Sequence, residues 1–360
     1  MRVCLVYDRL NKIGGAEQVL SAFHELFPSA PWYTSFWDPA SAPFSRTWQV
    51  HSFSYLHKHH EWFPWLMPFI FESYDFRAYD LVISVGSAES KGIITRPGTI
   101  HLHYCLTPTR YLYSHAKEYL SNPIYLFVAS ILRKWDQVAS TRPDEMIAIS
   151  THVKNRIQKY YHRDSIVIFP PVDITRFCRV PSEARRAKWD LPPSYFLVVS
   201  RLVPYKKIDV LVKAANLSRK NLVIIGEGSE LAHLRRLAGP TITFLGHIND
   251  QDLSGYYQSC TAYLQANIED FGISMVEAQA AGKPVIAYGR GGAVDIVIPG
   301  KTGILLSENT VSAFAKTMGE FDTMSYVSAV CRENAIRFDI SIWQQQIRER
   351  INKLCQTNQK

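Results

Sequence analysis

YFLVVSRLVPYKKIDVLVKAANLSRKNLVIIGEGSE, residues 195 to 230, reads as strand, basic loop, helix, strand. YFLVVS (195 to 200) is a short apolar run rich in β-branched residues. IDVLVKAA (208 to 215) spaces its apolar positions as a helix does, and LVII (222 to 225) returns to the strand pattern. Two such strands joined through a helix form a βαβ unit, which implies a parallel sheet.

The alternation continues outward in both directions. VCLVY (3 to 7), LVISV (81 to 85), IHLHY (100 to 104), MIAIS (146 to 150) and IVIF (166 to 169) precede it; ITFL (242 to 245), AYLQA (262 to 266) and PVIAY (284 to 288) follow. The expected class is therefore α/β throughout. A chain of 360 residues exceeds the size at which one core stops growing, so two domains are expected. Prolines cluster in PPVDITRFCRVPSEARRAKWDLPPS (170 to 194), where no strand pattern holds, and the linker is placed there. The expected division is 1–173, 174–338 and a C-terminal helix over 339–360, whose apolar residues Ile340, Trp343, Ile347 and Ile351 keep helical spacing.

Composition narrows the functional classes. Hydrophobic residues make up 47% and charged residues 20%, enough apolar material for two cores and too little charge for disorder. The N-terminal MRVCLVYDRL is too short an apolar run for a signal peptide and is broken by Asp8, so it reads as a first strand. No window has the roughly 18 apolar residues of a membrane span. Six cysteines without CxxC spacing read as free thiols rather than disulfides or a zinc site. A net charge of +8 suggests anionic partners, but neither zinc-finger spacing nor an RNP motif is present, so nucleic acid is not expected.

The loops after strands hold the chemistry. Arg201 and Lys206, at the end of YFLVVS, are suited to grip a diphosphate, the one as a planar fork and the other as a compact charge; a solvated basic loop is the alternative. Gly226 and Gly228, flanking Glu227, allow backbone amides to approach a ligand. In EDFGISMVEAQAAGKPV (269 to 285), Glu269 lies beyond a strand and Phe271-Gly272-Ile273 opens a helix. Glu277 sits about 7.5 Å further along that axis at 1.5 Å per residue. Such a pair can address both ends of a polar ligand, while the helix N-terminus meets its oxygens. Alternatively, Glu269 only complements the helix dipole and Glu277 lies at the surface, although the apolar context of Glu277 favours a buried carboxylate that needs a partner. Gly14 and Gly15 make a strand-to-helix turn that either presents N–H groups to an anion or needs positive φ.

Taken together, EDFGISMVEAQAAGKPVIA, SRLVPYKK, GGAE (14 to 17), IIGEGSE (224 to 230), FLGHI (244 to 248), GRGGAVD (289 to 295) and GKTG (300 to 303) resemble the retaining GT-B glycosyltransferases of glycosyltransferase family 4, over essentially the whole chain. FESYDFRAYDLVISVGSAESKG (71 to 92) and HYCLTPTRYLY (103 to 113) further resemble bacterial mannosyltransferases that build O-antigen and exopolysaccharide.

The resemblance implies two Rossmann-like domains facing across a cleft, with the acceptor on the first and the nucleotide sugar on the second. It implies that Arg201 and Lys206 hold the diphosphate in place of a metal ion, so that no cofactor is needed, and that Gly14 and Gly15 close over the phosphates. It implies further that Glu277 accepts from ribose hydroxyls, that Glu269 with the amides near Phe271, Gly272 and Ile273 positions the transferred sugar, and that Glu227 belongs to the nucleotide-sugar site. The implied donor is GDP-mannose and the implied acceptor a polyprenyl-diphosphate-linked saccharide, for a cytoplasmic protein or one peripheral at the inner face of the membrane. Another nucleotide sugar, a sugar-nucleotide epimerase and a non-catalytic scaffold remain the alternatives. Where many relatives read YCHTP, this chain has Leu106, which cannot hydrogen-bond. His101 and His103 fall on the strand face opposite residues 104 and 106, and His103 reads as a core histidine. HKHHEWFPWLMPFIF (57 to 71) reads either as an interfacial element toward anionic lipid or as a buried loop.

Overall fold

The computed structural model describes residues 1–12, 14–53, 64–113, 123–178 and 191–358. The chain divides into two compact units, Met1–Pro171 with Trp343–Lys360, and Val172–Ile342.

The first unit is built on a seven-stranded parallel sheet of order β3-β2-β1-β4-β5-β6-β7. Its strands are β1 (Val3–Tyr7), β2 (Trp32–Thr34), β3 (Val50–Ser52), β4 (Leu81–Gly86), β5 (Ile100–Cys105), β6 (Glu145–Ala148) and β7 (Ile166–Val167). β4 and β5 are buried along their whole length, as central strands covered on both faces must be. The sequence pattern does not reveal β2 or β3, because three residues are too few to show a period.

Ser84 and two histidines form a buried polar cluster in this sheet. Ser84 on β4 lies 2.8 Å from both His101 Nε2 and His103 Nδ1 on β5. Both imidazoles are fully buried, so they are core histidines. His101 Nδ1 has no partner, which is cheapest if it is the bare acceptor nitrogen: Nε2–H then donates to Ser84, whose hydroxyl donates to His103. On the opposite face Tyr104 packs edge-on against Trp343, and Trp343 against Phe23, with ring centroids 6.2 and 4.7 Å apart. The helix Ile340–Asn358 thus buries Trp343, Ile347 and Ile351, and Arg350 forms an ion pair with Glu145.

The second unit is a six-stranded parallel sheet of order β10-β9-β8-β11-β12-β13. Its strands are β8 (Phe196–Val199), β9 (Leu222–Ile225), β10 (Ile242–Gly246), β11 (Ala262–Gln265), β12 (Val285–Tyr288) and β13 (Gly303–Leu306). Val198, Ile224 and Leu264 form one core with Leu211 and Val212 of the helix Ile208–Ser218 and Phe314 of the helix Val311–Glu320. β13, unforeseen in the sequence, is an edge strand that is only partly buried. In both sheets the strand order reverses at the middle, between β1 and β4 and between β8 and β11, and such switch points are where open α/β sheets bind ligands.

Candidate active site

The carboxyl ends of β8 and β11 adjoin, and the loops that leave them carry Arg201, Lys206 and Glu269. After β8, the chain forms a short 3₁₀ turn, Pro204–Lys206. Lys207 then takes a left-handed conformation (φ 55°) that starts the helix Ile208–Ser218. This brings the Lys206 ammonium onto the Glu269 carboxylate in an ion pair that is mostly shielded from solvent. Arg201 is exposed and its Nη2 donates to the Tyr205 hydroxyl at 2.8 Å, leaving most of the guanidinium fork open to an anion.

Glu269 is the end of a polar ladder at alternate positions. Tyr263 donates to Gln265 Oε1 at 3.0 Å, Gln265 donates to Asn267, and Asn267 Nδ2 donates to Glu269 Oε1 at 2.9 Å. The Tyr-x-Gln-x-Asn-x-Glu spacing of two was the available signal, since it continues the strand's one-sided pattern into the loop. Gln265 and Asn267, which the sequence reading missed, fix the carboxylate from behind while Lys206 holds it in front.

Glu277, in the helix Ile273–Ala280, is only 7% exposed, which rules out a surface position. Its Oε2 accepts from the Tyr257 hydroxyl at 2.8 Å. Burial, reinforced by the Glu277 charge, pushes the Tyr257 phenol well above its usual range, so it stays a donor at any ordinary pH. Tyr257 was not singled out in the sequence either; it comes from the neighbouring helix Asp250–Ser259.

Glycines shape this site by permitting close approach. Gly272 caps the helix Ile273–Ala280 with φ 106°, a conformation L side chains rarely adopt, and a Cβ there would strike the Met275 methyl. In the loop GRGG, Gly292 N–H donates to Glu269 O at 2.9 Å. A Cβ on Gly291 would overlap the Glu269 carbonyl, and one on Gly292 the Phe271 carbonyl. The GRGGAVD motif is therefore the clamp that sets the backbone from Glu269 to Phe271, whose ring packs on Phe338 at 5.5 Å.

Two sequence expectations need correction here. Gly226 and Gly228 do not chiefly free amides for a ligand: Gly226 N–H donates to Gly246 O at 2.7 Å, and Cβ atoms at 226 and 228 would strike the carbonyls of Ser200 and Leu202. They let this loop brace the segment bearing Arg201, through Leu202 N–H to Glu227 O at 2.8 Å. The Glu227 side chain is exposed.

At the switch point of the first unit, Gly14 and Gly15 follow β1. Neither has positive φ, and a Cβ at either would meet nothing within 4 Å, so the turn does not demand glycine. The second correction concerns Gly14: its N–H is not unengaged but donates to Glu17 at 2.8 Å, so an incoming anion must compete with that carboxylate. Beside them, the buried Asp8 accepts from the backbone N–H groups of Ser87, Ala88 and Ser90 at 2.7 to 3.0 Å. Glu89, also buried, accepts from Arg9 at 3.1 Å and from Tyr111 at 2.6 Å. The segment GSAESKG is thus folded around carboxylates at the carboxyl end of the central strand β4.

Of the stretch 57 to 71, residues 57–63, Trp62 among them, lie outside the described residues. In the remainder, Met67, Ile70 and Phe71 are buried, as a buried loop requires, whereas Trp65, Leu66 and Phe69 are exposed. Among the described residues no cluster of His, Cys, Asp or Glu could hold a metal ion, and no helix is long and apolar enough to cross a membrane. All six cysteines are free thiols.

Comparison with known proteins follows this geometry. Residues 181–338 match the family described as glycosyl transferases group 1. The chain is 32% identical over 202 residues to a D-inositol 3-phosphate glycosyltransferase of Mycolicibacterium gilvum, covering 51% of this chain and 46% of the relative. It is 31% identical over 204 residues to a GDP-mannose-dependent alpha-(1-6)-phosphatidylinositol monomannoside mannosyltransferase of Mycobacterium tuberculosis, covering 49% and 52%. Of each of these curated relatives the chain spans about half the length. Among solved structures, Anabaena HepE in complex with UDP superposes with a TM-score of 0.73 at 19% identity, covering 98% of this chain and 100% of that one. The family match covers residues 181–338, the segment that carries Arg201, Lys206, Glu269 and Glu277, and the two parallel sheets with the same strand order around their switch points give the chain a GT-B fold.

Proposed function

We propose that this protein is a retaining, metal-independent glycosyltransferase that moves mannose from GDP-mannose to a polyprenyl-diphosphate-linked saccharide in the assembly of a bacterial surface polysaccharide. The observation that carries the reading is the Lys206–Glu269 ion pair at the switch point of the second sheet, with the open Arg201 fork at the end of the same strand.

In this reading Arg201 and Lys206 bind the diphosphate and offset the charge that grows on it as the sugar departs, the task a metal ion would otherwise perform. Glu269, released from Lys206 by the incoming phosphate and still held by Asn267, accepts from hydroxyls of the transferred sugar. Glu277, held by Tyr257, accepts from the ribose. Phe271, Gly272 and Ile273 contribute first-turn amides, and Gly14, Gly15 and Glu227 complete the donor contacts. The acceptor hydroxyl attacks the anomeric carbon on the face the phosphate leaves. The carbon–oxygen bond to phosphate breaks as the new glycosidic bond forms, and the acceptor proton passes to the departing phosphate oxygen. Positioning and charge stabilisation do the catalysis, and no protein nucleophile is needed.

The mannosyltransferase of M. tuberculosis, GDP-mannose-dependent by name, favours the GDP-mannose reading. HepE, in complex with UDP, favours a UDP-sugar as the second. The deciding experiment is calorimetric titration with GDP-mannose, UDP-glucose and ADP-glucose, repeated with Lys206→Ala and Glu277→Ala. Tight binding of GDP-mannose alone, weakened at least tenfold by either substitution, is expected. Preference for a UDP-sugar would overturn the donor. Conversion of a UDP-sugar without acceptor would indicate an epimerase, and binding of none a scaffold.

A further inference from the structure

The polar ladder behind Glu269 makes the two oxygens of that carboxylate unlike. Asn267 Nδ2 donates to Oε1 at 2.9 Å, Gln265 Nε2 reaches the same atom at 3.5 Å, and the Lys206 ammonium pairs with it as well. None of these bonds goes to Oε2. The ionised carboxylate also dictates the direction of the ladder. A carboxylate only accepts, so Asn267 must turn its amide nitrogen toward Glu269 and its carbonyl away. That carbonyl accepts from the Gln265 amide, whose own carbonyl accepts from the Tyr263 hydroxyl at 3.0 Å. Every hydrogen in the run points toward Glu269, the arrangement in which successive hydrogen bonds polarise one another.

All three members of the ladder are buried, Gln265 at 7% exposure, Asn267 at 4% and Tyr263 at 0%. Apolar side chains at these positions would need no partners, whereas a buried amide that loses its partner leaves a desolvated polar group behind. The far end of the ladder is anchored twice. The Tyr263 hydroxyl lies 3.3 Å from Val199 O, at the end of β8, and the loop that follows carries Arg201 and Lys206. The Tyr263 ring lies 5.9 Å from that of Tyr257, the partner of Glu277. Ser274, in the first turn of the helix Ile273–Ala280, hydrogen-bonds to both phenols. Glu269 and Glu277 are therefore the two ends of one continuous run of buried polar side chains.

We propose that Asn267 and Gln265 are positioning residues: they commit Oε1 of Glu269 to the protein and turn Oε2 toward a hydroxyl of the sugar that the nucleotide carries. That the ligand is a nucleotide sugar rests on the reading proposed above; the ladder itself does not. The consequence is selective. Cutting the ladder at 265 or 267 leaves the Tyr257 bond to Glu277 in place, so the sugar end of the ligand loses its partner while the nucleotide end keeps its own.

The test is calorimetric titration of the full chain with two matched pairs, GDP-mannose against GDP and UDP-glucose against UDP. The variants are Gln265→Met and Asn267→Leu, which keep side-chain size and remove the hydrogen bonds. In whichever pair the wild type binds, each variant is expected to lose at least about tenfold in affinity for the nucleotide sugar and less than about twofold for the nucleoside diphosphate. Equal losses for both ligands would overturn the proposal, because the two residues would then serve only the fold, and so would no loss for either. Urea unfolding of the two variants and of the double variant gives a reading without ligand. The double variant should be at least about fivefold more stable, in the unfolding constant, than independent losses would make it. Additive losses would overturn the ladder whatever the ligand. Preference for the UDP pair sinks only the earlier choice of GDP-mannose. Binding of neither nucleotide sugar by the wild type sinks the earlier reading and the role given to Oε2 with it.

Discussion

Removing one oxygen atom, in Tyr257→Phe, tests the logic of the donor site. The Tyr257 hydroxyl is the donor, 2.8 Å from Glu277 Oε2, and the carboxylate is 7% exposed, so water cannot readily replace the lost partner. A hydrogen bond to a charged group contributes about 1.5–3 kcal/mol, and Phe retains the ring packing that Tyr257 makes on Phe177 and Tyr263. Urea unfolding should therefore show a loss of about 1.5–3 kcal/mol with an unchanged slope. In a double-mutant cycle with Glu277→Ala, the coupling should be at least about 1 kcal/mol, because each substitution removes the same bond. If Glu277 receives the ribose, the freed carboxylate should also weaken donor affinity about three- to tenfold, or roughly 0.7–1.4 kcal/mol, by calorimetry. Additive effects within about 0.5 kcal/mol would refute the coupling. A stability loss without any change in affinity would leave the bond intact as structure and remove Glu277 from the donor site.

Two further outcomes are expected. Gly292→Ala forces a Cβ into the Phe271 carbonyl and should cost about 1–3 kcal/mol and most of the donor binding, whereas Gly319→Ala, on an open helical surface, should be neutral or stabilising; equal effects in thermal unfolding would remove the clamp role of the GRGG loop. Burial, with the nearby Arg163 and Arg142, lowers His101 to about 3 from 6.5, and burial likewise holds His103 well below its usual value. Both are then neutral when folded and protonated when unfolded, so stability should fall as pH drops from 6.5 toward 3, by up to about 1.4 kcal/mol per pH unit for each imidazole, and be flat from 7 to 8. Urea midpoints that do not change between pH 7 and 4.5 would contradict the neutral Ser84–His101–His103 arrangement.

The sequence by itself determined the two parallel sheets, because strands buried on both faces must be continuous apolar runs and crossover helices must be amphipathic; VCLVY, LVISV, IHLHY and LVII could be nothing else. It also singled out Arg201, Lys206 and Glu269 in loops that follow strands, and Glu277 as a carboxylate in an apolar helical context that needs a buried partner. What it withheld was local in space but distant along the chain. β2, β3 and β13 exist only because neighbouring strands supply their hydrogen bonds, so three or four residues each sufficed without a legible pattern. Tyr257 meets Glu277 across two helices, and Gly291 and Gly292 are glycines because the backbone from Glu269 to Phe271 lies against them. The apolar residues of the helix Pro123–Ala139 look like core in sequence, and only packing decided which face turned inward and left Phe127 and Ile131 outside. Period and charge are properties of a segment, whereas partner, approach and exposure belong to the fold around it.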